Sequence, residues 1–178
     1  NNLCLKAYRL MAEVYPQIGG VHIHLHKIIP FGAGLGGGSS DAAFTVKGLD
    51  KLLGLALTAE EMESVAARLG SDTAFFIRNI TQSAQGRGEV LSPVVLPQLV
   101  GKRLVIVKPY ESVSTAEAYA AVKPHQPAVP LVQRLTQDII HWRDTVTNSF
   151  ETHIFAGRLA IARIKDASYD LGAIYASM

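Results

Sequence analysis

The 178-residue chain contains a single cysteine, Cys4, so no internal disulfide can form and a disulfide-stapled secreted fold is excluded. No apolar run reaches the length of a membrane-spanning helix and no signal peptide is visible. The expected compartment is therefore the cytoplasm, with no membrane partner. An excess of one charge is also lacking. Seventeen Lys and Arg face fifteen Asp and Glu for a net charge of +2, and the basic residues are scattered, so nucleic acid is not indicated. There are no internal repeats and no low-complexity tract. The chain opens Asn1-Asn2-Leu3 without an initiator methionine, which reads as part of a longer polypeptide. What is present is an ordinary globular composition, 48% hydrophobic and 18% charged, enough for one domain or two small ones.

The rest of the chain is organised around one glycine-rich stretch. An apolar run ends at Pro30, and Phe31-Gly32-Ala33-Gly34-Leu35-Gly36-Gly37-Gly38-Ser39-Ser40 leads into a helical pattern at Ala42, Val46, Leu49 and Leu53, stopped by Gly54. Ser39 and Ser40 occupy positions where N-cap residues belong. Glycines let the backbone turn with positive φ and approach a ligand closely. Free N–H groups and the positive end of the helix dipole then converge on one point, which suits phosphate. Gly32, Gly34 and Gly37 satisfy G-x-G-x-x-G, but the following region is helical and offers no acidic strand end, so a dinucleotide fold is rejected. No Gly-Lys-Ser/Thr follows as in a Walker loop, and the protein-kinase motifs are absent. A tight turn with no ligand is disfavoured, because five glycines in seven residues are costly in backbone entropy.

Along the chain, Leu3, Ala7, Leu10, Met11 and Val14 predict a surface helix over 3–15, ended by Pro16 to Gly20. Residues 21–28 alternate strictly and predict a half-buried strand that places His22, His24 and His26 on one face. Two such histidines could share zinc, but three along one strand spread too far for a tetrahedron, so a solvated face is favoured and no metal ligand is assigned. Thr58 and Glu61 form a capping box for a helix through Met62, Val65, Ala66 and Leu69. Asp72 either caps the short apolar segment that follows or is a functional carboxylate beside the phosphate loop. Residues 84–89 predict a glycine-rich turn between two strands. Prolines and Gly101 place a domain boundary near residue 100. Arg103 to Val107 predicts a buried strand, Ser114-Thr115 the cap of a helix to Val122, stretches 131–143, 149–156 and 158–167 further helices, and 173–176 a strand.

Residues 30–43 resemble the ATP-binding motif of the GHMP small-molecule kinases. Leu69-Gly70-Ser71-Asp72-Thr73-Ala74-Phe75-Phe76, Ala84-Gln85-Gly86-Arg87-Gly88-Glu89 and Lys108-Pro109 through Thr115 resemble further elements of the same family, with Ser71 where alanine is usual. The triple glycine before Ser-Ser-Asp-Ala-Ala is similar to the branch acting on a cytidine diphosphate-linked methylerythritol, in the non-mevalonate route to isoprenoids. The resemblance implies an α/β (α+β) two-domain fold. Residues 1–100 would form an ATP-binding N-terminal domain of the ribosomal protein S5 domain 2 type, incomplete at its start. Residues 101–178 would be part of a ferredoxin-like C-terminal domain, incomplete at its end. Two elements of the family have no match here, an initial Lys-Ile-Asn strand and a late Gly-Ser-Gly element.

The resemblance further implies transfer of the γ-phosphoryl group of ATP to an alcohol, with Mg²⁺ as companion ion. Residues Pro30, Phe31, Gly32, Ala33, Gly34, Leu35, Gly36, Gly37, Gly38, Ser39 and Ser40 would hold the triphosphate. Asp72 would be the general base, and Thr115 and Tyr119 would contact the substrate, the tyrosine by stacking on cytosine. Ordinary helix core is the alternative for Tyr119. A monomer or weak homodimer is expected. A homoserine or mevalonate-type kinase, or a nucleotide-binding fragment without catalysis, are the competing readings.

Overall fold

A computed structural model of the chain describes residues 2–29, 32–120, 122–123 and 125–178. The chain divides into two compact units, residues 1–94 and 95–178. Both are mainly helical, with one small sheet among the described residues.

The first unit opens with α1 (Leu3–Val14), whose N–H groups at Cys4 and Leu5 donate to the Asn2 side chain. Cys4, Ala7, Leu10 and Met11 are its buried stripe. The long helix α2 (Gly37–Leu53) buries Ala42, Ala43, Val46 and Leu49, and the two alanines let neighbouring helices come close. Leu53, expected on that stripe, is 36% exposed. Gly54 ends the helix in a left-handed conformation (φ 62°), its N–H donating to Asp50. Helix α3 (Ala59–Ala67) and the single turn α4 (Phe75–Arg78) complete the core through Val65, Ala66, Ala74 and Ile77. Arg78 ties them together by pairing with Glu60 and Glu63.

The expected capping box is present. The Thr58 hydroxyl accepts from Glu61 N–H at 3.2 Å, and the Glu61 carboxylate accepts from Thr58 N–H at 2.8 Å. The bonds the carboxylate accepts, from the Thr58 N–H foremost and then from the Thr58 hydroxyl at 2.9 Å, hold the Glu61 carboxyl below the usual carboxylate range. The folded state therefore binds this proton more weakly than the unfolded chain, so the contribution is full above the ordinary carboxylate range and is lost as pH falls through it. Glu61→Gln should accordingly lower the thermal midpoint at neutral pH, with the gap to wild type closing in acid. A gap that does not change with pH would refute this.

The only sheet among the described residues is an antiparallel hairpin of β1 (Gln82–Gln85) and β2 (Val90–Pro93), registered with Ala84 opposite Leu91 and Gln85 opposite Val90. It matches the expected pair of strands around the 84–89 turn. The other three expected strands are not formed. Residues 21–28, 103–107 and 173–176 lie outside any sheet. Ile23 and Leu25 are each 39% exposed, and Leu104 and Val105 exceed 80%. Alternation or β-branching specifies a face that could be buried, but a strand also needs a hydrogen-bonding neighbour. No described residue supplies one for these segments.

In the second unit, α5 (Thr115–Ala120) begins where the Ser114 hydroxyl accepts from Glu117 N–H at 3.1 Å. The expected helical stretch 131–143 is broken. Helix α6 (Leu131–Leu135) stops at Thr136, Asp138 caps a 3₁₀ turn at Ile139–His141, and α7 (Trp142–Thr145) continues from it. Helices α8 (Glu151–Gly157) and α9 (Leu159–Asp170) follow, close to their expected places. Ile139, Trp142 and Ile154 are the buried hydrophobics of this unit. Glu151 is buried with them, accepting from Lys165 Nζ at 2.6 Å and from Met178 N–H at 2.9 Å.

Candidate active site

The glycine stretch enters α2 through three left-handed residues, Gly32, Gly34 and Gly36, with φ of 70°, 72° and 64°. Gly36 is the N-cap, and no side chain caps the helix. Ser39 and Ser40 therefore do not occupy the N-cap as the sequence predicts; they lie in the first turn. The left-handed Gly36 turns the chain into the helix earlier, so that Gly37 and Gly38 become its first two residues. The first intrahelical bond runs from Ser40 N–H to Gly36 O at 2.9 Å. The N–H groups of Gly37, Gly38 and Ser39 have no acceptor within the helix, and no side chain at the cap covers them. This is a helix start suited to an anion.

Close packing also requires these glycines. A Cβ on Gly36 would lie 2.8 Å from Cζ of Phe76. On Gly37 it would lie 3.2 Å from Ile29 Cγ2 and from Lys27 Nζ, and on Gly38 it would lie 3.3 Å from Leu3 Cδ1. Gly32, Gly34 and Leu35 are exposed and Ala33 is half-buried. Pro30 and Phe31, expected to belong to the same site, lie outside the described residues.

Sequence reasoning missed Lys27. Its ammonium donates to the Asp41 carboxylate and stands beside Gly37, adding a cation at the uncapped end of α2. The available signal was a lysine directly ahead of Ile28-Ile29 and the loop, but the alternating pattern of 21–28 absorbed it.

Asp72 sits in the turn 71–74 and is exposed. It does not cap α4, whose N-cap is Ala74 with no side-chain bond. That removes the capping role weighed for it. Phe76, four residues on and within α4, is the residue packed against Gly36, so the helix that follows the Asp72 turn meets the start of α2. The turn of the β1–β2 hairpin backs onto the same place, with Gly88 against Asp72. Between Asp72 and α4, the Thr73 hydroxyl is buried and has no hydrogen-bond partner among the described residues. An orphaned hydroxyl of this kind is tolerated more often at functional sites than elsewhere.

Thr115 and Tyr119 lie in the second unit. Thr115 is exposed as the first residue of α5. Tyr119 is 64% exposed rather than core, and its ring meets Phe150 edge-to-face at 5.0 Å. The Glu117–Arg158 pair, with bonds of 2.8 and 3.1 Å, fixes α5 to α9. No group of three His, Cys, Asp or Glu among the described residues is arranged to hold a metal ion. None of the helices among those residues is long and apolar enough to cross a membrane.

The uncapped glycine start of α2, with Phe76 of the helix after Asp72 packed on it, is a helix start that suits an anion. Residues 2–79 match the family model described as the GHMP kinases N terminal domain. Over that stretch the chain is a GHMP kinase N-terminal domain. Among curated relatives it is 45% identical to 4-diphosphocytidyl-2-C-methyl-D-erythritol kinase of Cytophaga hutchinsonii, over all of this chain and 66% of that protein. It is 43% identical to the enzyme of the same name from Bacteroides thetaiotaomicron, over all of this chain and 64% of that protein. A crystal structure of 4-(cytidine 5′-diphospho)-2C-methyl-D-erythritol kinase shares the fold with a TM-score of 0.73 at 32% identity, covering 97% of this chain and 63% of its own. The chain thus spans a little under two thirds of the length of these relatives.

Proposed function

We propose that this chain carries the phosphate loop and general base of an ATP-dependent kinase that phosphorylates a hydroxyl of 4-diphosphocytidyl-2-C-methyl-D-erythritol, a step of non-mevalonate isoprenoid synthesis. The observation that carries the proposal is the uncapped, glycine-built start of α2, on which Phe76 of the helix after Asp72 packs. The names of the relatives supply the substrate class. Residues 30–40 would cradle the triphosphate through backbone N–H groups, with the Lys27–Asp41 ion pair at the same end. Asp72 would take the proton of the attacking hydroxyl, with positioning and charge neutralisation supplying most of the rate. Mg²⁺ would arrive with ATP, held mainly by phosphate oxygens, as is usual for this ion. No group of three His, Cys, Asp or Glu among the described residues forms a cage for it. Residues 1–100 are assigned to the ATP-binding domain and 101–178 to the C-terminal domain. The protein is placed in the cytoplasm as a monomer or weak homodimer, without nucleic-acid or membrane partners.

Thr115 and Tyr119 would contact the cytidine substrate. The exposure of the Tyr119 ring supports stacking on a base. Tyr119→Ala should raise KM for the cytidine substrate several-fold and leave KM for ATP unchanged. Equal changes in both would sink the stacking role.

The test of the whole reading is ATP consumption by a full-length kinase polypeptide carrying this sequence. The acceptors are 4-diphosphocytidyl-2-C-methyl-D-erythritol, mevalonate and homoserine, each with Mg²⁺. Turnover with the cytidine compound alone is expected. Turnover with another alcohol would discard the substrate assignment, and none with any would discard catalysis.

A further inference from the structure

We infer that Gly88, at the tip of the β1–β2 hairpin, is a positioning residue for the Asp72 carboxylate; the inference rests on Asp72 being the general base. Gly88 has φ +112°, and a Cβ there would lie 2.9 Å from Asp72 Oδ1. The next nearest atoms would be the Ser71 carbonyl oxygen at 3.6 Å and Ser71 Cβ at 3.7 Å. All three belong to the turn that carries the base, so the hairpin tip is the wall behind it. The tip is itself fixed. Gly88 N–H donates to Gln85 O at 3.1 Å, and Arg87 N–H donates to the Glu89 carboxylate at 2.7 Å.

The physical consequence is directional. A carbon 2.9 Å from a carboxylate oxygen cannot stay there, and the free end of a side chain yields more easily than a hydrogen-bonded turn. A methyl group on residue 88 therefore presses on the carboxylate, in addition to the strain that the positive φ puts on any side chain there. A proton-accepting group must lie within hydrogen-bond reach of its hydroxyl, so a small displacement is read out in the rate. Gly88 acts by leaving space for one rotamer of its neighbour.

Gly86 provides the control. It lies in the same turn with φ +69°, and a Cβ there would meet Glu89 Oε1 at 2.8 Å, not Asp72. Gly86→Ala and Gly88→Ala both force a side chain into a positive-φ position of one turn. Only the second meets the base directly; the first meets Glu89, the acceptor of the Arg87 N–H that fixes the tip.

The experiment measures kcat and both KM values for Gly88→Ala, Gly86→Ala, Asp72→Asn and the Asp72→Asn/Gly88→Ala double variant, in a full-length kinase polypeptide. Gly88→Ala should lower kcat roughly 10–10²-fold with KM for ATP unchanged. Gly86→Ala should lose clearly less than Gly88→Ala, and Gly88→Ala should cost nothing further once Asp72 is replaced. Equal losses in Gly86→Ala and Gly88→Ala, or a full Gly88→Ala loss in the Asp72→Asn background, would overturn the inference while leaving the base intact. A near-normal rate for Asp72→Asn would overturn the base and the inference together. If Gly88→Ala does not fold, Gly88→Asn brings the same Cβ with a residue more tolerant of positive φ, and the same outcomes decide.

Discussion

Asp72→Asn should reduce kcat roughly 10²–10⁴-fold, the span that a positioned general base contributes. Stability should hardly change. Asp72 is exposed, caps no helix, and sits in a turn whose buried neighbours Thr73, Ala74 and Ile77 carry the packing. Asparagine preserves the shape and removes the ability to accept a proton, so the rate and the unfolding midpoint separate cleanly. KM for ATP should hold, because the phosphates are assigned to the start of α2. A near-normal kcat would remove Asp72 from the mechanism. A fall in kcat accompanied by an equal loss of folded protein would reassign it to structure.

Trp142→Ala should destabilise the second unit by roughly 3–5 kcal/mol, the usual cost of removing a buried indole. Trp142 is 4% exposed, and its ring meets Tyr175 edge-to-face at 5.7 Å. Its Nε1–H donates to Gln137 O at 3.2 Å. Tyr175 in turn donates to Val146 O at 2.9 Å. The substitution therefore opens a cavity and loosens the residues before and after α7 together. Denaturant titration followed by far-ultraviolet circular dichroism would measure it. Burial holds the Tyr175 phenol above its usual range, so a spectroscopic tyrosine titration should move back toward that range in the variant. A loss below about 1 kcal/mol, inside the ordinary scatter of point substitutions, would show that this core repacks without the indole.

The local grammar of the chain was legible. Thr58 with Glu61, Gly54 after Leu53, and the glycines flanking Arg87 each specify backbone geometry within a few residues, and each forms as read. What depends on distant partners was not legible. The alternation of 21–28 and the apolar run 103–107 state what each segment could bury, but not which neighbour would bury it. The helix start was misread for a related reason. Serines are strong caps, yet the left-handed φ of Gly36 brings the chain into the helix first, a conformational choice that composition does not rank. Lys27 at the end of α2 and Glu151 beneath α9 were both hidden, because their partners lie fourteen residues away along the chain.

The hairpin carries a consequence for heat. A two-stranded sheet is marginal by itself in water, and among the described residues Leu91 is its one member packed on the hydrophobic core. The helices of the same unit share a continuous interior, so the hairpin should fray at a lower temperature than they melt. Turnover should then fall away on warming while the helical signal is still intact. The temperature optimum of the proposed kinase would be set by eight paired strand residues rather than by the helical core of the unit.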